Sequence, residues 1–79
     1  MSKYDALTQF LRHQAGPVEY PLSRLNEIVP GGLPASAFQY EAWWSNDDPS
    51  HHHCRSWAAA GFSAHPNLAR QVVRFELLE

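Results

Sequence analysis

Tyr4, Leu7, Phe10 and Leu11 recur at three- and four-residue steps, the spacing of one helical face, and predict a first helix over 4–13. Ser2 is placed to cap it, Asp5 falls in its first turn, and Arg12 and His13 suit its last. Gly16-Pro17 ends the pattern, and Val18-Glu19-Tyr20 is a short extended segment. Pro21 then opens a second helix that reaches Val29, with Leu22, Leu25, Ile28 and Val29 on one face and Pro30-Gly31-Gly32 as its stop. A third helix is expected from Pro34 to Trp44. A fourth runs from Pro49 to Ala60, capped by Asp48 and closed by Gly61. Beyond Gly61 the period shortens to two. Phe62–His65 and Val72–Leu77 flank a polar turn at Pro66-Asn67, and Val73, Phe75 and Leu77 alternate with Val72, Arg74 and Glu76. The pattern predicts an α+β domain: three to four short helices followed by a C-terminal antiparallel β-hairpin, with the Val18 segment as a candidate third strand.

The third helix is the unusual one. At 100° per residue, Ala35, Phe38 and Ala42 form a core-facing stripe, while Ala37, Tyr40 and Trp44 fall on the opposite side and Trp43 between. Only Ser36, Gln39 and Glu41 are polar. A helix apolar nearly all round is either surrounded by the fold or keeps its outer side for a partner. Tryptophan and tyrosine suit such a contact, because each offers a large rigid area with a polar tip. Two readings follow: Trp43 and Trp44 both belong to the core, or one of them is exposed as an anchor. Asn46-Asp47-Asp48 follows at once, a turn that also holds Asn46 and Asp47 as polar contacts beside the tryptophans.

Composition narrows the class. Seventy-nine residues with 44% hydrophobic and 18% charged side chains describe one globular domain over 1–77, with Leu78-Glu79 reading as vector-derived. No apolar stretch is long enough to span a membrane, and no signal-peptide pattern opens the chain. Cys54 is the single cysteine, so no internal disulfide can form and a reducing, cytoplasmic setting is expected. Six Lys/Arg against eight Asp/Glu give a net charge of −2, without the basic excess of a non-specific DNA binder.

His51-His52-His53-Cys54 suggests a metal, yet consecutive helical residues point about 100° apart and cannot share one ion. His13 and His65 are isolated, so neither a metal site nor a cofactor is expected. Cys54 reads as a buried structural thiol on the face of Trp57, Ala58 and Gly61. Gly31-Gly32 lacks the lysine of a phosphate-binding loop, and catalysis is not expected. Lys3, Arg12, Arg24, Arg55, Arg70 and Arg74 are scattered. A nucleic-acid face built from His51, Arg55, Arg70 and Arg74 beside the aromatics is the second reading of the chain.

Lys3-Tyr4-Asp5, Leu33-Pro34-Ala35-Ser36-Ala37, Ala42-Trp43-Trp44, Asn46-Asp47, Ser50-His51, Ala59-Ala60-Gly61-Phe62 and Val73-Arg74-Phe75 together resemble an uncharacterised family of small bacterial and phage-associated domains. The likeness runs from residue 3 to about residue 76, with an atypical His52-His53 run and Gly61-Phe62 where the pattern has Gly-Trp. In size and mild acidity the chain is also similar to phage anti-CRISPR proteins, many of which act by covering a surface of a host complex. That resemblance implies a small non-enzymatic interaction protein in a bacterial host's cytoplasm, blocking target recognition by a CRISPR surveillance complex or another ribonucleoprotein. Tyr40, Trp43 or Trp44 would be the apolar anchor, and Glu41, Asn46, Asp47 and Arg55 its polar rim. A monomer or a weak dimer through the third helix is expected, with no membrane partner.

Overall fold

The computed structural model describes residues 2–47 and 51–78. Its elements are α1 (Asp5–Arg12), β1 (Val18–Pro21), α2 (Leu22–Ile28), α3 (Ala35–Gln39), a 3₁₀ turn (Glu41–Trp44), α4 (His52–Ala59), β2 (Phe62–Asn67) and β3 (Val72–Leu77). The architecture is α+β, as the periodicities require. The three strands form one antiparallel sheet in the order β1-β3-β2, so the short Val18 segment does join the hairpin. Val73 and Phe75 alternate inward from the central strand. They meet Leu7 and Leu11 of α1, Leu22 and Leu25 of α2, and Trp44 and Trp57 in a single buried cluster. No helix among the described residues is long and apolar enough to cross a membrane.

Ends of the elements differ from the sequence reading in instructive ways. Ser2 does not cap α1 from within; its Oγ accepts the Tyr4 amide at 3.2 Å, just ahead of the helix, and no side chain caps the helix proper. At the other end, His13 Nδ1 lies 2.7 Å from the Gln9 carbonyl, close to the carbonyls left open there. Pro21 closes β1 instead of opening α2. The Asp48-Pro49 cap expected for α4 lies outside the described residues. Gly32 has φ +81°, and there Asn26 Oδ1 takes the Leu33 amide at 2.7 Å, which secures the turn after α2.

The expected third helix is broken. Tyr40 adopts φ −127° and ψ 121°, an extended conformation that separates α3 from the 3₁₀ turn. Continuous helix would have carried Ala37, Tyr40 and Trp44 on one face. With the break, Ala37 and Trp44 both enter the core while Tyr40 turns outward. The core stripe assigned to Ala35, Phe38 and Ala42 is therefore wrong: Ala35 and Ala42 are exposed and Phe38 is only half-buried. Aromatic residues are poor helix formers, and packing two large indoles outweighs the few backbone bonds lost. One of those losses is repaired directly. Trp44 Nε1 donates to the Ala37 carbonyl at 2.9 Å, capping the truncated helix from inside the core.

Pro66 and Asn67 belong to β2, and the hairpin turn is Leu68–Gln71 instead. Both Asn67 oxygens, backbone and side chain, accept the Arg70 amide at 3.2 Å. Proline is tolerated because β2 is an edge strand on which Phe62, Ala64 and Pro66 turn their backbone polar groups away from β3. Pro66 has no N–H to expose there. Ala64 has both groups taken by one side chain: Asn46 Nδ2 donates to its carbonyl at 2.8 Å, and Asn46 Oδ1 accepts its amide at 2.7 Å. A side-chain amide thus occupies the edge where another strand would otherwise pair. Asn46→Ala should cost about 1–3 kcal/mol, because two partly buried backbone groups lose their partners. Urea denaturation measures this directly, and a loss under about 0.5 kcal/mol would mean that water replaces the amide without penalty.

Candidate partner-binding surface

The three tryptophans are the largest side chains of the protein, and the fold spends them on an internal stack. Trp44 and Trp57 lie 5.3 Å apart with an interplanar angle of 30°, and Trp44 meets Phe75 edge-on at 6.4 Å. Trp43 packs edge-on against Trp44 at 4.7 Å and supports His53, whose ring is parallel to it at 4.1 Å and 5°. Tyr4 flanks both rings at 5.9 and 5.8 Å. Its burial there raises the phenol above its ordinary value of 10.0. The stack runs outward from the sheet, and at its outer end Trp43, His53 and Tyr4 are all half-buried.

This placement sorts the sequence candidates. Trp44 is 1% exposed and cannot reach a partner; it is a core residue. Trp43 is half-buried beneath His53. Asn46 has its amide committed to the sheet edge, so it serves the fold. Asp47 is exposed, with its backbone amide on Ser45 Oγ. Tyr40 is 61% exposed, the largest fraction among the big apolar side chains of the described residues, and Glu41 beside it is exposed too. The corner that holds them is fixed: the Tyr40 amide bonds the Ser36 carbonyl at 2.9 Å and its carbonyl takes the Trp43 amide at 3.2 Å. Gln71 Nε2 reaches the nearby Phe38 carbonyl at 3.3 Å from the hairpin turn.

The basic residues do not gather as the nucleic-acid reading requires. Arg74 projects from the outer face of the sheet and is bonded to Glu76, while Arg70 lies 3.8 Å from Glu19 on the same side. Arg55 and His51 belong to the start of α4, which packs on the inner face of the sheet. Folding thus separates Arg55 and His51 from Arg70 and Arg74 by the whole core.

Chemistry at the remaining polar clusters is limited by geometry. Cys54 is buried with Sγ 3.7 Å from the Trp43 carbonyl, in keeping with a structural thiol. His52 turns its Nδ1 to Arg55 at 3.1 Å while His51 and His53 face each other at 5.4 Å, so the three rings do not converge. Among the described residues no group of three or more His, Cys, Asp or Glu is placed to hold a metal ion. The sequence reading treats His65 as isolated, whereas the β2–β3 pairing brings it beside Ser63 and Glu76. His65 Nε2 is 2.8 Å from Ser63 Oγ and 3.9 Å from Glu76 Oε2. Both neighbours sit on one ring nitrogen, whereas a relay for nucleophilic attack holds the carboxylate on the other. The trio is a solvated network on an open sheet face.

The model of a family described as a domain of unknown function, DUF7662, matches residues 4–77. No curated protein and no solved structure matches the chain.

Proposed function

The chain belongs to the DUF7662 family, and for this member we propose a small non-catalytic interaction module that grips a protein partner at the Tyr40–Glu41 corner. The observation that carries the reading is the outward turn of Tyr40: a bulky amphipathic ring, 61% exposed, on a backbone break stiffened by three hydrogen bonds. A rigid tyrosine loses little freedom on binding and buries a large area, which is why such residues dominate interfaces. Glu41 supplies an adjacent charge for orientation. Arg70 and Arg74 are already paired with carboxylates, which counts against phosphate as the main contact. Occlusion of a CRISPR surveillance complex is the narrower form of the proposal. It draws on size and charge alone, and direct binding to such a purified complex decides it.

The test is photo-crosslinking from benzoylphenylalanine placed at position 40, in the cell that naturally makes the protein. A discrete protein adduct from position 40, absent when the same probe stands at Glu19 on the outer sheet face, is the expected result. Equal labelling from both positions, or none from 40, overturns the proposal. Tyr40→Ala should leave stability within about 0.5 kcal/mol of the parent, since the ring is largely solvated. Thermal melting checks that any loss of binding is not a loss of fold.

A further inference from the structure

Of the six basic side chains, three are paired with carboxylates and Lys3 is bonded to a backbone carbonyl. Lys3 Nζ donates to the Gly32 carbonyl at 3.0 Å, Arg24 pairs with Glu27 at 3.4 Å, Arg70 with Glu19, and Arg74 with Glu76. Among the described residues Arg12 is shown with no hydrogen-bond or ion-pair partner and Arg55 only with His52 Nδ1 at 3.1 Å, and the two border the same feature. α1 and α4 lie side by side, joined by Thr8 Oγ1 donating to the Ser56 carbonyl at 2.9 Å. Along this seam run two adjoining hollows of about 330 and 440 Å³ that share Asp5, Thr8 and Ala59. Arg55 stands at the first and Arg12 at the second.

The seam has the form of a seat for a third helix. Thr8 and Ser56 are buried and Ala59 is small, so a backbone can approach closely, while the long side chains stand at the borders. Its charges run Arg55, Asp5, Arg12: a cation at either end and a carboxylate between. A nucleic-acid backbone, with an anion at every step, meets repulsion at Asp5. A peptide helix can match the pattern, with carboxylates opposite the arginines and a neutral or basic residue opposite Asp5.

From this we infer that the α1–α4 seam binds an acidic amphipathic helix of a protein partner, at a surface separate from the Tyr40 corner. Arg12 and Arg55 hold its carboxylates, Ala6 and Ala59 receive its apolar face, and the buried Thr8 and Ser56 let it approach. The inference does not depend on Tyr40.

The experiment is an NMR titration of the ¹⁵N-labelled protein with a synthetic helical peptide of about 15 residues, with leucines on one face bordered by glutamates. Its glutamine counterpart and a single-stranded oligothymidine are titrated in parallel. The expected result is that amide shifts concentrate at residues 5–12 and 52–59 with the glutamate peptide. Affinity should fall at least about tenfold for the Arg12→Gln, Arg55→Gln double variant, as loss of two charge pairs requires. Tyr40→Ala should leave it unchanged. Both arginines are exposed, so the double variant should keep its dispersed spectrum. No shifts, equal shifts with the glutamine peptide, or shifts in the seam with the oligothymidine instead would each overturn the inference.

Discussion

Trp44→Ala should unfold most of the protein at room temperature. The ring is 1% exposed, stacks on Trp57, meets Phe75 edge-on, and among the described residues carries the only hydrogen bond to the Ala37 carbonyl. Large aromatic truncations in a core cost about 3–5 kcal/mol through lost transfer energy and the cavity left behind. The orphaned carbonyl adds about 1–3 kcal/mol. A domain of this length holds only about 4–12 kcal/mol in total, so the change removes most of the margin. Far-UV circular dichroism on heating should show a midpoint lowered by more than about 12 °C, or no transition at all. A cost under about 1 kcal/mol would place this indole at the surface and return it to the list of contact anchors.

Trp57→Ala should be nearly as damaging, and the comparison with phenylalanine separates packing from hydrogen bonding. Trp57 is fully buried under Trp44, yet its Nε1 has no hydrogen-bond partner among the described residues. Truncation to alanine again opens a cavity worth about 3–5 kcal/mol. Replacement by phenylalanine removes a similar volume at either tryptophan, but with opposite consequences for polar groups. Trp44→Phe strands the Ala37 carbonyl, whereas Trp57→Phe deletes an N–H that is already stranded. Trp57→Phe should therefore be milder than Trp44→Phe by at least about 1 kcal/mol in urea denaturation. Equal losses would show that a partner for the Trp57 N–H has been overlooked.

Much of the architecture is written in local pattern. The stripe Tyr4, Leu7, Phe10 and Leu11 placed α1, and the alternation Val73, Phe75 placed β3, because each element buries one face and its period survives in the sequence. What local pattern did not carry is the break at Tyr40. A helical wheel treats Ala37, Tyr40 and Trp44 as one face, and only the volume of two indoles seeking the same core decides that Tyr40 leaves it. Pro66 misled for a related reason. Proline reads as a turn unless an edge strand excuses its missing N–H, and edge position is a property of the sheet. The Asn46–Ala64 pairing had no local signal at all, since its partners are 18 residues apart.

The candidate surface was legible in the same uneven way. Tyr40, Glu41 and Asp47 are exposed as the contact reading needs, Trp44 is buried, and Asn46, though exposed, has its amide bonded to Ala64. Trp43 stands between these groups, half-buried against His53. Grouping Arg55 with Arg70 and Arg74 failed because the sheet separates them. Arg12, which no motif singled out, turned out to border the same seam as Arg55, an adjacency created by α1 packing on α4.

The central claim is that the tryptophans build the fold and leave Tyr40 to make the contact. It is tested most directly by competition against the crosslink formed at position 40. Unlabelled parent protein should suppress the adduct in proportion to its excess, and folded Tyr40→Ala at the same concentrations should leave it intact. Suppression by both proteins to the same extent would contradict the account, because the partner would then bind without the tyrosine.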